Sequence, residues 1–205
     1  MEVTASLAAA GAVAVAIAAG FVVLLHLVPT GLDPTRNAVS QYGRTPFARF
    51  YRAQVIASGF AGLLIAAALL SAGIHRPLPL AAIIAYGLAR LAIAWNPMDL
   101  PGEAPTAAGR NHVLLALIAF AGLAVVALPL TDTLARASAG ALPGVVSAIA
   151  PAVPITAILM FASSKLGPAE HQRFGLFERL FYLAGFAWLL LAAASLALFG
   201  VTPGA

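Results

Sequence analysis

Apolar positions along this chain come in long blocks divided by short polar segments. The blocks cover about 5–27, 51–73, 78–95, 112–130, 143–163 and 179–200. Each is close to the length a helix needs to cross a hydrocarbon core of about 30 Å, at about 1.5 Å per residue. Backbone that faces lipid must satisfy its own hydrogen bonds, which leaves helix as the conformation for these blocks. The pattern therefore predicts an all-α, polytopic bundle of six transmembrane helices, with residues 1–205 as a single integral membrane domain. The first block follows MEVTAS, without a basic leader, and its apolar run is longer than the roughly 7–15 residues of a signal peptide, so it is expected to be a retained helix. Ala8, Ala12, Ala16 and Gly20 form a small-residue stripe along it, suited to close helix packing. Pro151 and Pro154 predict a kink or break inside the fifth span, because each lacks a backbone donor.

Composition supports this reading. Of 205 residues, 62% are hydrophobic and 9% charged, and the mean hydropathy is +0.98. A soluble domain carries roughly a quarter charged residues. Cysteine is absent, which excludes disulfides, thiolate catalysis and Cys-ligated metals. Neither a Walker loop nor a dinucleotide fingerprint is present. Paired histidines within a span, the pattern of haem bundles, are also missing. With these boundaries the span interiors hold no acid, which argues against a proton pump or cation transporter. Nucleic acid is not an expected partner; the basic residues speak to topology instead.

The loops after spans one, three and five, with their flanks, carry Arg36, Arg44, Arg49, Arg52, Arg110, Lys165, Arg173 and Arg179. The opposite side has Arg76 and Arg136. The positive-inside rule then predicts a cytoplasmic position for the crowded loops and both termini outside. Arginine in preference to lysine, with the alanine content, suggests a GC-rich bacterial genome, and a bacterial cytoplasmic membrane is the expected location. An echo between GRTPFARFYRA at 43–53 and GLFERLFYLA at 175–184 reflects two similar amphipathic starts to helices on one side.

Most candidate chemistry shares that crowded face. His26 closes span one, and Asp33, Ser40, Gln41 and Tyr42 follow it. The loop AWNPMDLPGEAPTAAGRNH at 94–112 brings Asn96, Asp99, Glu103, Thr106, Arg110 and His112. Glu170, His171, Arg173 and Glu178 lie in or beside the third loop. A histidine closing the first span, SQY at 40–42, NPMD at 96–99 and TAAGRNH at 106–112 together resemble a prokaryotic six-helix membrane family, domain of unknown function 998. The resemblance spans nearly the whole chain. It implies the fold and a candidate site, and it brings no established activity. Family members usually show Phe-Pro-x-Asp where this chain has Asn96-Pro97-Met98-Asp99. A more distant similarity is to Frag1-type membrane proteins.

A structural reading accounts for much of 94–112. Asn96 and Pro97 stop span three; Pro101, Gly102 and Pro105 hold a tight loop; Thr106 caps span four. Asp99 and Glu103 suit the positive end of that helix, and His112 can bond a loop carbonyl. Arg90 resists this account. It lies six residues before Asn96, roughly 9 Å inside the helix end. It must therefore snorkel, pair with Asp99 or Glu178, or meet an anionic ligand.

Three functional readings follow. The first is a site for an anionic lipid or phosphate headgroup, with Arg44, Arg49, Arg90, Arg110 and Arg173 as donors and Ser40, Tyr42 and Thr106 completing the hydrogen bonds. The second is a metal-dependent membrane lipid hydrolase. There His26, His112 and His171, with Asp99 as fourth ligand or base, would hold zinc, and Asp99, His112 and Ser40 are the catalytic candidates. The third is an accessory subunit that packs a membrane-protein partner or a second copy through its small-residue stripes.

Overall fold

A computed structural model describes residues 2–137, 142–165 and 173–199. Its seven α-helices, among the described residues, are α1 (Glu2–Leu27), α2 (Ala48–Ser71), α3 (Pro77–Ile93), α4 (Ala107–Ala137), α5 (Leu142–Ile149), α6 (Ala152–Ser163) and α7 (Phe174–Phe199). A 3-10 turn, Val39–Arg44, lies between α1 and α2. Five stretches are long and apolar enough to cross a membrane, among them Gly144–Ser163, which joins α5 to α6. The helix Pro77–Ile93 is shorter but apolar. Six predicted spans thus become seven helices because the fifth breaks at Ala150 and Pro151. Pro154 falls in the first turn of α6, where its missing N–H costs no helical bond. Pro129, by contrast, lies inside α4, which runs on past the predicted end of span four.

The helices pack as a ring in chain order: α1 against α2, α2 against α3, α3 against α4, α4 against α6, α6 against α7, and α7 back against α1. Glycine sets the spacing of α2 and α3. A Cβ on Gly59 would lie 2.9 Å from the Gly87 carbonyl oxygen, and one on Gly87 would lie 2.9 Å from that of Gly59. Only bare backbones fit there, as expected where lipid offers helices no hydrophobic drive and close packing must hold them. Buried side-chain bonds add to it: Trp188 Nε1 donates to Thr131 Oγ1 at 2.7 Å, joining α7 to α4. Large apolar side chains also cover the outside, such as Val13 at 59%, Ile158 at 67% and Leu183 at 69% exposure. Helices apolar all round match a lipid solvent.

The small-residue stripe expected on α1 is corrected in rotation. Ala8 is buried, but Ala16 and Gly20 are exposed. The packed face instead carries Thr4, Ala8, Gly11, Val15, Ala18 and Leu25, with Gly11 beneath Ile65 of α2. In a helix so rich in alanine several faces look small, and the position of Gly11 decides which one packs.

Candidate functional site

The α1–α2 and α3–α4 loops meet at one end of the ring, with Ser164 and Lys165 after α6 and Phe174 at the start of α7 beside them. The α3–α4 loop is built around Asp99. Its carboxylate accepts from the Thr106 backbone N–H (2.8 Å) and the Thr106 hydroxyl (2.7 Å). Thr106 Oγ1 in turn accepts from the Gly109 N–H at 3.0 Å, which makes Thr106 the cap expected from the sequence. The carboxylate lies across the first turn of α4 so closely that a Cβ on Gly109 would sit 1.9 Å from Asp99 Oδ2. The Asp, Thr and Gly of this segment are therefore one device. The Thr106 bonds, with help from Arg44 and Arg110, hold the Asp99 carboxyl below its ordinary value of 3.8.

Arg44 fastens the first loop to the second: Nη1 donates to the Met98 carbonyl (2.7 Å) and Nη2 pairs with Glu103 Oε1 (2.9 Å). Ser40 Oγ donates to Met98 Sδ at 2.9 Å. A second knot centres on Arg179 of α7. It donates to His26 Nε2 (2.6 Å), the Asn37 carbonyl (2.8 Å), the Gly175 carbonyl (2.9 Å) and Tyr42 Oη (3.1 Å). His26 Nδ1 meets the Val22 carbonyl at 2.6 Å, so both its ring nitrogens are engaged.

Arg90 neither snorkels nor pairs with an acid. Only 2% of it is exposed. Nε donates to Ser58 Oγ (2.8 Å), Nη1 to Tyr182 Oη (2.9 Å) and Nη2 to Gln54 Oε1 (2.7 Å). The guanidinium also lies 5.3 Å from the Tyr182 ring centre. Among the described residues, the ion pairs are Arg36–Asp33, Arg44–Glu103 and Arg136–Asp132; Arg90 is in none of them. The expected partners Asp99 and Glu178 are engaged elsewhere. Glu178 lies on α7, which begins at Phe174, so a span interior does hold an acid, contrary to the sequence reading. It is buried, and its Oε2 accepts from the Val39 N–H at 2.6 Å.

Arg90, Glu178 and His112 border a cavity of about 680 Å³ between α3, α4, α6 and α7, to which α2 contributes Tyr51. Asp99, Arg110, Ser40, Ser164 and Lys165 lie at its loop end; Phe120, Phe161, Val113 and Leu117 form its apolar wall. Val113 is 68% and Leu117 50% exposed, so the wall between α4 and α6 also faces the outside, where lipid would lie. The volume is in the range of small-molecule sites, about 300–1,000 Å³.

The family comparison extends the resemblance read from the motifs. The family model described as a protein of unknown function (DUF998) matches residues 12–195. The chain belongs to this family. No curated protein and no solved structure matched it. In this DUF998 chain, the cavity gathers only part of the residues the sequence singled out. Arg90, Arg110, Asp99, His112 and Ser40 line it. Tyr42 and His26 join the Arg179 knot, Thr106 is held by Asp99, and Arg44 is the loop fastener. Arg49 and Arg173 are exposed. His171 lies outside the described residues, and among those described no group of three or more His, Asp and Glu could hold a metal. The sequence reading missed Gln54, Ser58 and Tyr182. Gln54 and Ser58 are one turn apart in an apolar span, and that spacing was their signal.

Proposed function

We propose that the cavity binds the anionic headgroup of a membrane lipid, with the acyl chains leaving between α4 and α6. One observation carries this: a guanidinium, buried at the edge of the cavity, that is held only by neutral groups. An Arg at membrane depth costs on the order of 2.5–3.5 kcal/mol on insertion scales. Ser58, Gln54 and Tyr182 orient its charge without cancelling it. An anion in the cavity would do so. Arg110 and Lys165 add positive charge at the loop end, and the two carboxylates already accept protein donors. The apolar wall beneath suits hydrocarbon, so the cavity has the amphipathic profile of a lipid.

Replacing the two rim cations together, Arg110→Ala with Lys165→Ala, is expected to weaken binding of an anionic phospholipid about tenfold or more. This takes a charge-assisted hydrogen bond at about 1.5–3 kcal/mol. Native mass spectrometry of the delipidated protein would measure it; an unchanged affinity would remove these residues from the site.

From the excess of basic residues on the loop-bearing face we also propose that this face is cytoplasmic and both termini lie outside, in a bacterial cytoplasmic membrane. Because cysteine is absent, single replacements report cleanly. In intact cells an impermeant maleimide should label His75→Cys and spare Ala104→Cys. The reverse pattern would invert the topology.

A further inference from the structure

The cavity holds one feature that an anion alone does not satisfy. His112, in the second turn of α4, is 5% exposed, and its Nδ1 lies 2.7 Å from the Asn96 carbonyl oxygen. A carbonyl only accepts, so Nδ1 carries a proton; burial beside Arg90 and Arg110 disfavours a second one, and the neutral ring presents a lone pair at Nε2. Nε2 has no hydrogen-bond partner among the described residues, and His112 borders the same cavity as Arg90 and Arg110. Arg90 Nε, Nη1 and Nη2 donate to Ser58, Tyr182 and Gln54 and not to this ring. Ser40 and Ser164 direct their hydroxyls to Met98 Sδ and the Phe161 carbonyl.

We infer that the ligand carries an alcohol hydroxyl beside its anionic group and donates it to His112 Nε2. The class is a phosphate ester of a polyol, such as a phosphatidylglycerol headgroup or free glycerol phosphate. A phosphodiester without a hydroxyl offers acceptors only. It would satisfy the cations and leave the imidazole lone pair buried against oxygen. An ammonium headgroup could donate, but the cavity's carboxylates, Glu178 and Asp99, already accept from Val39 and Thr106, and Arg90, Arg110 and Lys165 would repel it. A neutral hydroxyl avoids that repulsion. The inference rests on the anionic-site reading above and adds to it a requirement for a donor.

The test compares phosphatidylglycerol with phosphatidylmethanol, the same phosphodiester with a methyl group in place of glycerol. Each is titrated into the delipidated full chain and read by native mass spectrometry. Wild type is expected to prefer phosphatidylglycerol about tenfold, the worth of one buried hydrogen bond. His112→Leu should abolish the preference and bring the two lipids to equal affinity. His112→Gln, which keeps both a donor and an acceptor, should retain part of the preference. Equal affinity for the two lipids in wild type overturns the inference while the anionic site stands, and that ratio needs no variant to fold. A preference that survives His112→Leu also overturns it. If neither lipid binds but glycerol 3-phosphate binds through His112, the hydroxyl requirement holds and the lipid reading falls. If none of the three binds, both fall.

Discussion

Arg90→Met should lower the affinity for an anionic phospholipid about a hundredfold. Beyond the bonds to Gln54 and Tyr182, each terminal nitrogen of Arg90 keeps a second N–H. Two charge-assisted bonds at about 1.5–3 kcal/mol each account for a loss of that size. The variant should still fold. It leaves Ser58, Gln54 and Tyr182 short of a donor, but it also removes a buried charge that has no carboxylate partner, and the two effects oppose each other. Arg90→Lys separates charge from geometry. A point-like ammonium cannot serve three acceptors arranged around a planar fork, so an intermediate loss of about tenfold is expected. Titration of each variant with phosphatidylglycerol checks the series. Full affinity in Arg90→Met would mean that the guanidinium is a packing element and not a ligand.

The second large effect concerns the start of α4. Gly109→Ala places a methyl group 1.9 Å from Asp99 Oδ2, inside the space the carboxylate occupies. The carboxylate must swing away and release Thr106, so the loop loses its anchor. Overpacking of this kind costs about 1–3 kcal/mol, a fall in Tm of several degrees at roughly 2–4 °C per kcal/mol. The effect depends on one neighbour, which gives it a sharp control. In an Asp99→Ala background the same Gly109→Ala change should be neutral or mildly stabilising, since alanine is the better helix former. Additive losses in the double variant would contradict the contact. Acid provides a parallel check. The folded carboxyl titrates below its ordinary value of 3.8. Its contribution is therefore complete above the unfolded value and is lost as pH falls through the lower, folded one. Asp99→Asn should remove that acid-sensitive part of the thermal melt.

These two sites differ in how far the sequence revealed them. The Asp99 device is local: the cap at Thr106, the acid near a helix start and the His112 bond to a loop carbonyl all follow from spacing along ten or so residues. The break at Pro151 was legible for the same reason. Partners across the bundle were not. Hydrophobic blocks give the length of a span, but nearly uniform small apolar residues give little contrast from which to read its rotation. Hence the packed face of α1 turned away from Ala16 and Gly20, and Arg90 met Gln54, Ser58 and Tyr182 in place of an acid. His26 illustrates the same gap. It shares a membrane face with His112, yet it is bound by Arg179, an arginine the sequence offered only as a topology signal. Placing α7 five residues earlier than its apolar block also converted Glu178 from a loop acid to a buried one.

On this account the cavity beside Arg90 holds an anionic headgroup. An experimental map of the protein with phosphatidylglycerol in a nanodisc tests it most directly. The predicted result is headgroup density between α3, α4, α6 and α7, with phosphate oxygens about 2.7–2.9 Å from Arg90 or Arg110 nitrogens. A closed cavity in which Arg90 and Glu178 form a direct ion pair would contradict it.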